Sequence, residues 1–365
     1  MRRNLKEIIE ALGPDDGQGV AFYMNHPKVA DFRQAGRNGY VYCDRGQMGS
    51  DGTPGKNINM SGLTNFLKIF YWPDWTPYPK TQSAQMKLLR KTSLRIEKLQ
   101  KKKEAERKRE LILQGEGNNA LVALQNKAKS HWRGDIIHGQ IGQWILMDQD
   151  HFHTYNPAGL HPGTRAFFQF LDNHQLYPFA ADYIVACTDE SVRLATGVDC
   201  HAVNLKTGAV VWIEVKSTVH SLRQKEFVMD RPEFPWCGKL AEVAEEWNRA
   251  HPNSPLARSD LNRAKIQLAM SYFMGWESLG PEFDVYETEL YVIQVPENGK
   301  NVCRYRLTEA FLNTVAHPVY LDLKKQIPLE RARQAAEEKG QQMEEEEREE
   351  PARKKQKMDT SDYYF

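Results

Sequence analysis

Apolar positions recur along the middle of this chain in two rhythms. Helical spacing marks 136–147, 164–173, 239–250 and 260–274, whereas short β-rich runs mark 183–187, 197–204, 209–216 and 289–295. Helices on both sides of short apolar strands predict an α/β (α+β) domain, which we place over residues 120–328. Upstream, residues 1–80 are aromatic and turn-rich: Gly46, Gly49, Gly52 and Gly55 mark loops, and the apolar segment 66–72 is halted by Pro73. The following Trp75, Pro77, Tyr78 and Pro79 either cover a core edge or form an aromatic binding surface. The stretch Thr81–Gln114 contains no Gly or Pro and carries a thin apolar stripe through Met86, Leu89, Ile96 and Leu99. It reads as one long helix, an arm over 81–119 that ends at the Gly115–Asn119 turn. From 329 to 365 the chain becomes Glu-, Gln- and Lys-rich, which predicts a frayed helix passing into disorder.

Charge changes this picture only when it is resolved along the chain. The 365 residues carry 49 Lys and Arg against 48 Asp and Glu, a formal net of +1 that on its face argues against a polyanionic partner. Residues 86–110, however, hold eleven basic and four acidic side chains, and residues 337–350 hold eight Glu against Lys339 and Arg348. Arg353, Lys354, Lys355 and Lys357 then form a basic cluster that resembles a nuclear localisation signal. The arm suits a phosphate backbone or a protein partner, and the acidic run suits a basic partner. No run approaches the ~18 apolar residues of a membrane span, and the first residues lack the apolar region of a secretory signal. The five cysteines lie far apart, which predicts reduced intracellular thiols with neither disulfides nor a zinc site.

The chemistry concentrates in residues 195–218. Two β-rich runs flank Leu205–Gly208, whose turn residues predict a hairpin centred near position 206 or 207. Pairing about that centre sets Asp199 opposite Glu214, and the pleat puts Glu214 and Lys216 on one face with Val215 on the other. Two converging carboxylates are costly unless a cation compensates them. Mg²⁺ or Mn²⁺ fits an oxygen-rich set completed by the Val215 carbonyl, with Lys216 placed to assist a water or a charged phosphate. The alternative is an exposed hairpin with a cross-strand salt bridge. Asp182, at a strand start, is a competing acid, and Asp148, Asp150, His151, His153 and His161 form a second His/Asp patch.

Asp, a turn and Glu-x-Lys on the next strand resembles the PD-(D/E)XK nuclease superfamily over roughly residues 130–296. Glu106-Arg107-Lys108 and Glu337-Glu338-Lys339 also match Glu-x-Lys, but they sit in charge runs without an apolar strand or a facing Asp. Upstream, Arg133-Gly134-Asp135-Ile136-Ile137-His138 is similar to the helix start of RecB-like nucleases and to the Arg-Gly opening of λ-exonuclease-like enzymes. Downstream, Arg263 to Tyr272 resembles the RecB-like Gln-x-x-x-Tyr helix, one residue too long, so Gln267 is retained and Tyr272 is not.

The resemblance implies a restriction-endonuclease-like core, a central mixed sheet flanked by helices, and a Mg²⁺- or Mn²⁺-dependent DNA nuclease. Its metal would be held by His138, Asp199, Glu214 and Val215, with Lys216 in the chemical step and Arg133, Arg263 and Gln267 on the DNA strand. Processing of DNA ends in replication, recombination or repair would follow. The iron–sulfur cluster of some RecB-like enzymes is not expected, because Cys237 and Cys303 are isolated. The same His, Asp and Glu-x-Lys order also resembles cap-snatching RNA endonucleases, and a non-catalytic nucleic-acid-binding or assembly protein could retain the fold.

Overall fold

Apolar runs bounded by turn residues become strands of one sheet, and the amphipathic stretches between them lie on its two faces. The computed structural model describes residues 32–34, 39–43, 57–73, 134, 136–145, 160–187, 189–218, 227–279 and 287–361. The strands are β1 (Phe32–Gln34), β2 (Gly39–Cys43), β3 (Asn57–Gly62), β4 (Leu176–Cys187), β5 (Leu194–Asn204), β6 (Val210–Thr218), β7 (Thr288–Pro296) and β8 (Cys303–Arg306). The principal helices are α1 (Leu63–Phe70), α2 (136–145), α3 (Pro162–Asn173), α4 (Gly238–Ala250), α5 (Asp260–Leu279) and α6 (His317–Ser361). The protein is therefore mixed α/β, with a mixed sheet flanked by helices, as its apolar pattern predicts. Among the described residues no helix is long and apolar enough to cross a membrane.

Strands β4, β5 and β6 form an antiparallel meander, and β7 returns parallel to β6 after a crossover that carries α4 and α5. The hairpin register is the predicted one, running from Cys200 opposite Ile213 to Val203 opposite Val210. Its turn is closed by Gly208 N–H to Asn204 O at 2.8 Å, and Gly208 adopts φ +74, which glycine reaches without steric cost. Because β4 pairs along the whole of β5, strands β3 and β6 must share its other edge. β3 joins in parallel at Leu194 and Ala195, and β6 joins antiparallel from Cys200 to Val203. Among the described residues, 196–199 of that edge face no paired strand, so the sheet forks there.

Both faces are covered, which is why β6 and β7 read as nearly continuous buried runs. On one face Ile137 and Ile141 of α2 and Phe167, Phe168 and Leu171 of α3 pack on Val211, Ile213, Val215, Ile293 and Val295. On the other, α1, α4, α5 and the start of α6 pack on Val210, Trp212, Leu290 and Val292. Residues 57–72, which the sequence assigns to a separate N-terminal region, thus belong to this sheet and core through β3 and α1. Leu312–Ala316 forms a π-helical turn just ahead of Pro318, a position where the missing N–H disturbs the ordinary helical ladder.

The C-terminal segment differs from the frayed and disordered end expected of it: α6 continues to Ser361. Strong helix formers and pairs such as Arg333 with Glu330 and Glu337 favour helix even where no core is covered. The 81–119 arm and the aromatic group Trp75–Pro79 lie outside the described residues.

Gly275 shows how closely α5 approaches the sheet, since a Cβ built there would stand 2.4 Å from the fully buried Trp212 ring. Gly275→Val should therefore lower unfolding stability by about 1–3 kcal/mol through overpacking. Gly139 on α2 has nothing within 4 Å of its Cβ position. There an alanine should be neutral or stabilise by up to about 1 kcal/mol. Urea titration of the two variants checks both signs.

Candidate active site

The fork between β3 and β6 is where the predicted acids meet. Asp199 is the last residue of the unpaired edge, and Glu214 is the first residue of β6 beyond the ladder to β5. The Asp199 carboxylate bridges the parting strands: its Oδ2 accepts from the Val215 N–H at 2.6 Å. Its Oδ1 lies 3.1 Å from Nδ1 of His138, carried in by α2. Glu214, only 2% exposed, receives Lys216 Nζ on Oε1. Val215 turns its side chain into the opposite core, as the pleat predicts. The Lys216 side chain is 33% exposed and that of His138 is 32% exposed, so the cluster opens to solvent at these two cations.

Electrostatics follow from that burial. Asp199 beside it raises the His138 pKa to about 9 against the opposing effect of burial. Burial, then the Asp199 charge, pushes the Glu214 carboxyl up to about 7 even with Lys216 pulling the other way. Burial alone would also raise Asp199, but His138, Lys216 and the Val215 N–H outweigh it and hold the acid below its ordinary value. Burial works against the Lys216 charge too, and Glu214 and Asp199 outweigh it to raise that pKa. Behind the cluster, burial depresses His201 to about 3. His201 is therefore a neutral ring packed among Tyr183 and Trp212.

Four predicted residues (His138, Asp199, Glu214 and Lys216) thus come together, with the Val215 backbone beside them. Arg263, expected on the DNA strand, is buried under two rings. It is 6% exposed, its guanidinium stands 4.8 Å from the Trp236 ring centre and 6.0 Å from that of Trp72, and it donates to Arg258 O at 3.1 Å. Desolvation lowers its pKa to about 10, and its contacts tie together the loops before α4 and α5. Gln267 is half-buried on α5, and Arg133 lies outside the described residues. Of the second His/Asp patch, His161 caps α3, its Nδ1 accepting from the Gly163 N–H at 3.1 Å, and 148–153 lie outside the described residues.

Two acids gain weight from the structure. Asp182 is raised by burial and by the Asp199 charge and lowered by His138, so it faces the same cluster. Asp260, first residue of α5, adds to the forces that keep Lys216 charged. The sequence offers Asp182 as a competing acid but not its place beside Asp199, because a register shift between Pro178 and Ala180 and a left-handed φ of +49 at Asp182 interrupt strand alternation.

Among the described residues no three His, Cys, Asp or Glu side chains form a ready-made cage for a metal ion, the acids being paired with His138 and Lys216 instead. Compared with protein-family models and with curated proteins, the chain matches none of them.

Glu214 generates a pH prediction. Its folded pKa of about 7 exceeds its ordinary 4.5, so the folded state binds this proton more tightly than the unfolded chain. The associated stability is fully present below 4.5 and is lost as pH rises through about 7. In metal-free buffer, Glu214→Gln should therefore gain stability relative to wild type between pH 5 and pH 8, read as a shift in urea midpoint. A constant difference across that range would show that Glu214 does not carry this proton.

Proposed function

We propose that this chain is a divalent-cation-dependent nuclease with a PD-(D/E)XK-type site, acting on DNA. The observation that carries the proposal is the convergence, at the fork of the sheet, of Asp199 with Glu214 and Lys216 on the adjoining strand and His138 on the covering helix. The donor set fits Mg²⁺ or Mn²⁺: two carboxylates, an imidazole and a backbone carbonyl, of which Glu214 is almost wholly desolvated. Both backbone groups of a strand residue face one edge, so the Val215 carbonyl shares the fork with the N–H that binds Asp199.

A cation held there would act as Lewis acid on a phosphodiester and lower the pKa of a bound water. The residues around it have separable tasks. The Val215 N–H and His138 fix the Asp199 carboxylate on both oxygens, so the acid is oriented before any ligand arrives. Glu214, neutralised by burial at low pH, becomes an available anion near neutrality. Lys216 reaches from this buried acid towards solvent, where its ammonium can meet the attacking water or the charge developing on phosphate. Gln267, and Arg133 ahead of α2, are the proposed contacts to the strand. The basic run 86–110 suits a DNA backbone, and the cluster Arg353–Lys357 suits nuclear import.

The test is cleavage of single- and double-stranded DNA and of RNA with Mg²⁺ or Mn²⁺. Wild type should cleave DNA, and Lys216→Ala and Asp199→Asn should each lose ~10²-fold or more in rate. Cleavage of RNA alone would replace DNA by RNA as the substrate. An inert wild type, or variants that keep full rate, would sink the enzymatic reading in favour of a binding or assembly protein.

A further inference from the structure

Backbone groups along β6 alternate between its two edges. The Val210 N–H donates to Glu287 O and the Thr218 carbonyl accepts from the Glu297 N–H, each at 2.9 Å, so the even-numbered residues turn their backbone towards β7. Odd-numbered residues turn theirs towards β5, as the Val215 N–H does in donating to Asp199 Oδ2 at 2.6 Å. Ser217 shares that direction. Among the described residues the ladder to β5 ends at Ile213 opposite Cys200. Ser217 therefore presents its N–H to the open fork, two positions beyond the donor that fixes Asp199.

On one edge of an extended strand the carbonyl of a residue and the N–H two positions later lie side by side. The Val215 carbonyl and the Ser217 N–H are thus an acceptor and a donor aimed into the same opening. Lys216 stands between them in the chain, with its side chain on the face that carries Glu214. The Ser217 side chain points to the other face, where a Cβ built at Gly134 would stand 3.3 Å from its Oγ. The glycine ahead of α2 lets the helix start close on that hydroxyl. What Ser217 offers to the fork is its backbone N–H.

We propose that the Ser217 N–H binds a non-bridging oxygen of the phosphodiester that is cleaved. The proposal rests on the nuclease reading above and deepens it by stating how the phosphate is oriented. One non-bridging oxygen faces the cation beside the Val215 carbonyl, and the other is held by the strand edge. A backbone donor fixed by the β6–β7 ladder needs no rearrangement as negative charge develops on that oxygen. Lys216 then remains available to the attacking water.

Two measurements on the full chain test this. The first is the amide resonance of Ser217 in ¹⁵N-serine-labelled wild type with Mg²⁺. The probe is an oligonucleotide with methylene in place of every 3′ bridging oxygen, which keeps both non-bridging oxygens. Binding should move the Ser217 amide proton downfield. The second is the rate of DNA cleavage by Ser217→Pro, which removes the N–H from an edge that pairs with no strand among the described residues, a place where proline is tolerated. Its kcat should fall ~10²-fold or more, with the Mn²⁺ dissociation constant and urea midpoint of wild type. Thr218→Pro, one position on, takes its N–H from the β7 side and should lower the urea midpoint instead.

A Ser217 amide that stays in place when the strand binds overturns the proposal, as does a Ser217→Pro enzyme with full kcat. Either result leaves the nuclease reading intact so long as wild type cuts DNA. If Ser217→Pro also loses stability or Mn²⁺ affinity, the wild-type amide shift alone decides. A wild type that neither binds Mn²⁺ nor cuts DNA removes the underlying reading itself.

Discussion

Where β5 and β6 part, the carboxylate of Asp199 takes the place of a strand partner. Beyond Cys200 and Ile213 the two strands no longer pair, and the Val215 N–H on the freed edge of β6 would otherwise be a buried donor without an acceptor. Leaving such a group unpaired costs about 1–3 kcal/mol. Asp199 Oδ2 satisfies it, so opening the sheet and placing an acid at the opening are one event. The second oxygen is then fixed in direction and meets His138, which ties α2 to the same point. Helix, hairpin and acid cluster are in this sense a single structural decision.

The layers on either side explain why the cluster has one way out. Val215 and Ile213 face the α2–α3 side, Trp212 faces α5, and Gly275 lets α5 settle against that ring. Strands β6 and β7 are covered on both faces, so solvent reaches Glu214 only past its neighbours at the fork. A carboxylate in that position is held charged only by what lies within a few ångströms. Lys216 answers part of this demand and Asp199 adds to it, so the acid is left well above its ordinary carboxylate range.

The hairpin was legible in the sequence because its logic is local. A four-residue turn and the two-residue pleat fix which side chains face each other, and neither depends on the rest of the chain. The burial of Arg263 was not legible, for the converse reason. Helical spacing gives its direction relative to Gln267, but whether that direction ends in solvent or under Trp236 depends on a loop 29 positions away, at Phe234, whose place no periodicity encodes. Asp182 was legible only as a competing acid at a strand start, because the register shift after Pro178 defeats counting along β4 and conceals its place opposite Asp199. β3 escapes notice because it joins β5 in parallel through only two residue pairs, over a separation that patterning cannot span.

That last pairing matters more than its length suggests. β3 forms the second prong of the fork, and it is secured from the far end of the chain. Arg331 of α6 donates to Ser61 Oγ, Ser191 O and Arg193 O, and its guanidinium stands over the Phe66 ring at 5.8 Å. Nearby, Tyr71 donates to the Val319 carbonyl, and its hydroxyl also bonds the Asp322 carboxylate. Residues from both sides of the central domain are therefore clasped together on the β3 side of the fork. The width of the opening at Asp199 is set by two strands, and while the hairpin alone governs one, the other is governed by α1 and α6 acting together. A domain cut at residue 120, as composition suggests, would keep every proposed ligand and lose one wall of the site.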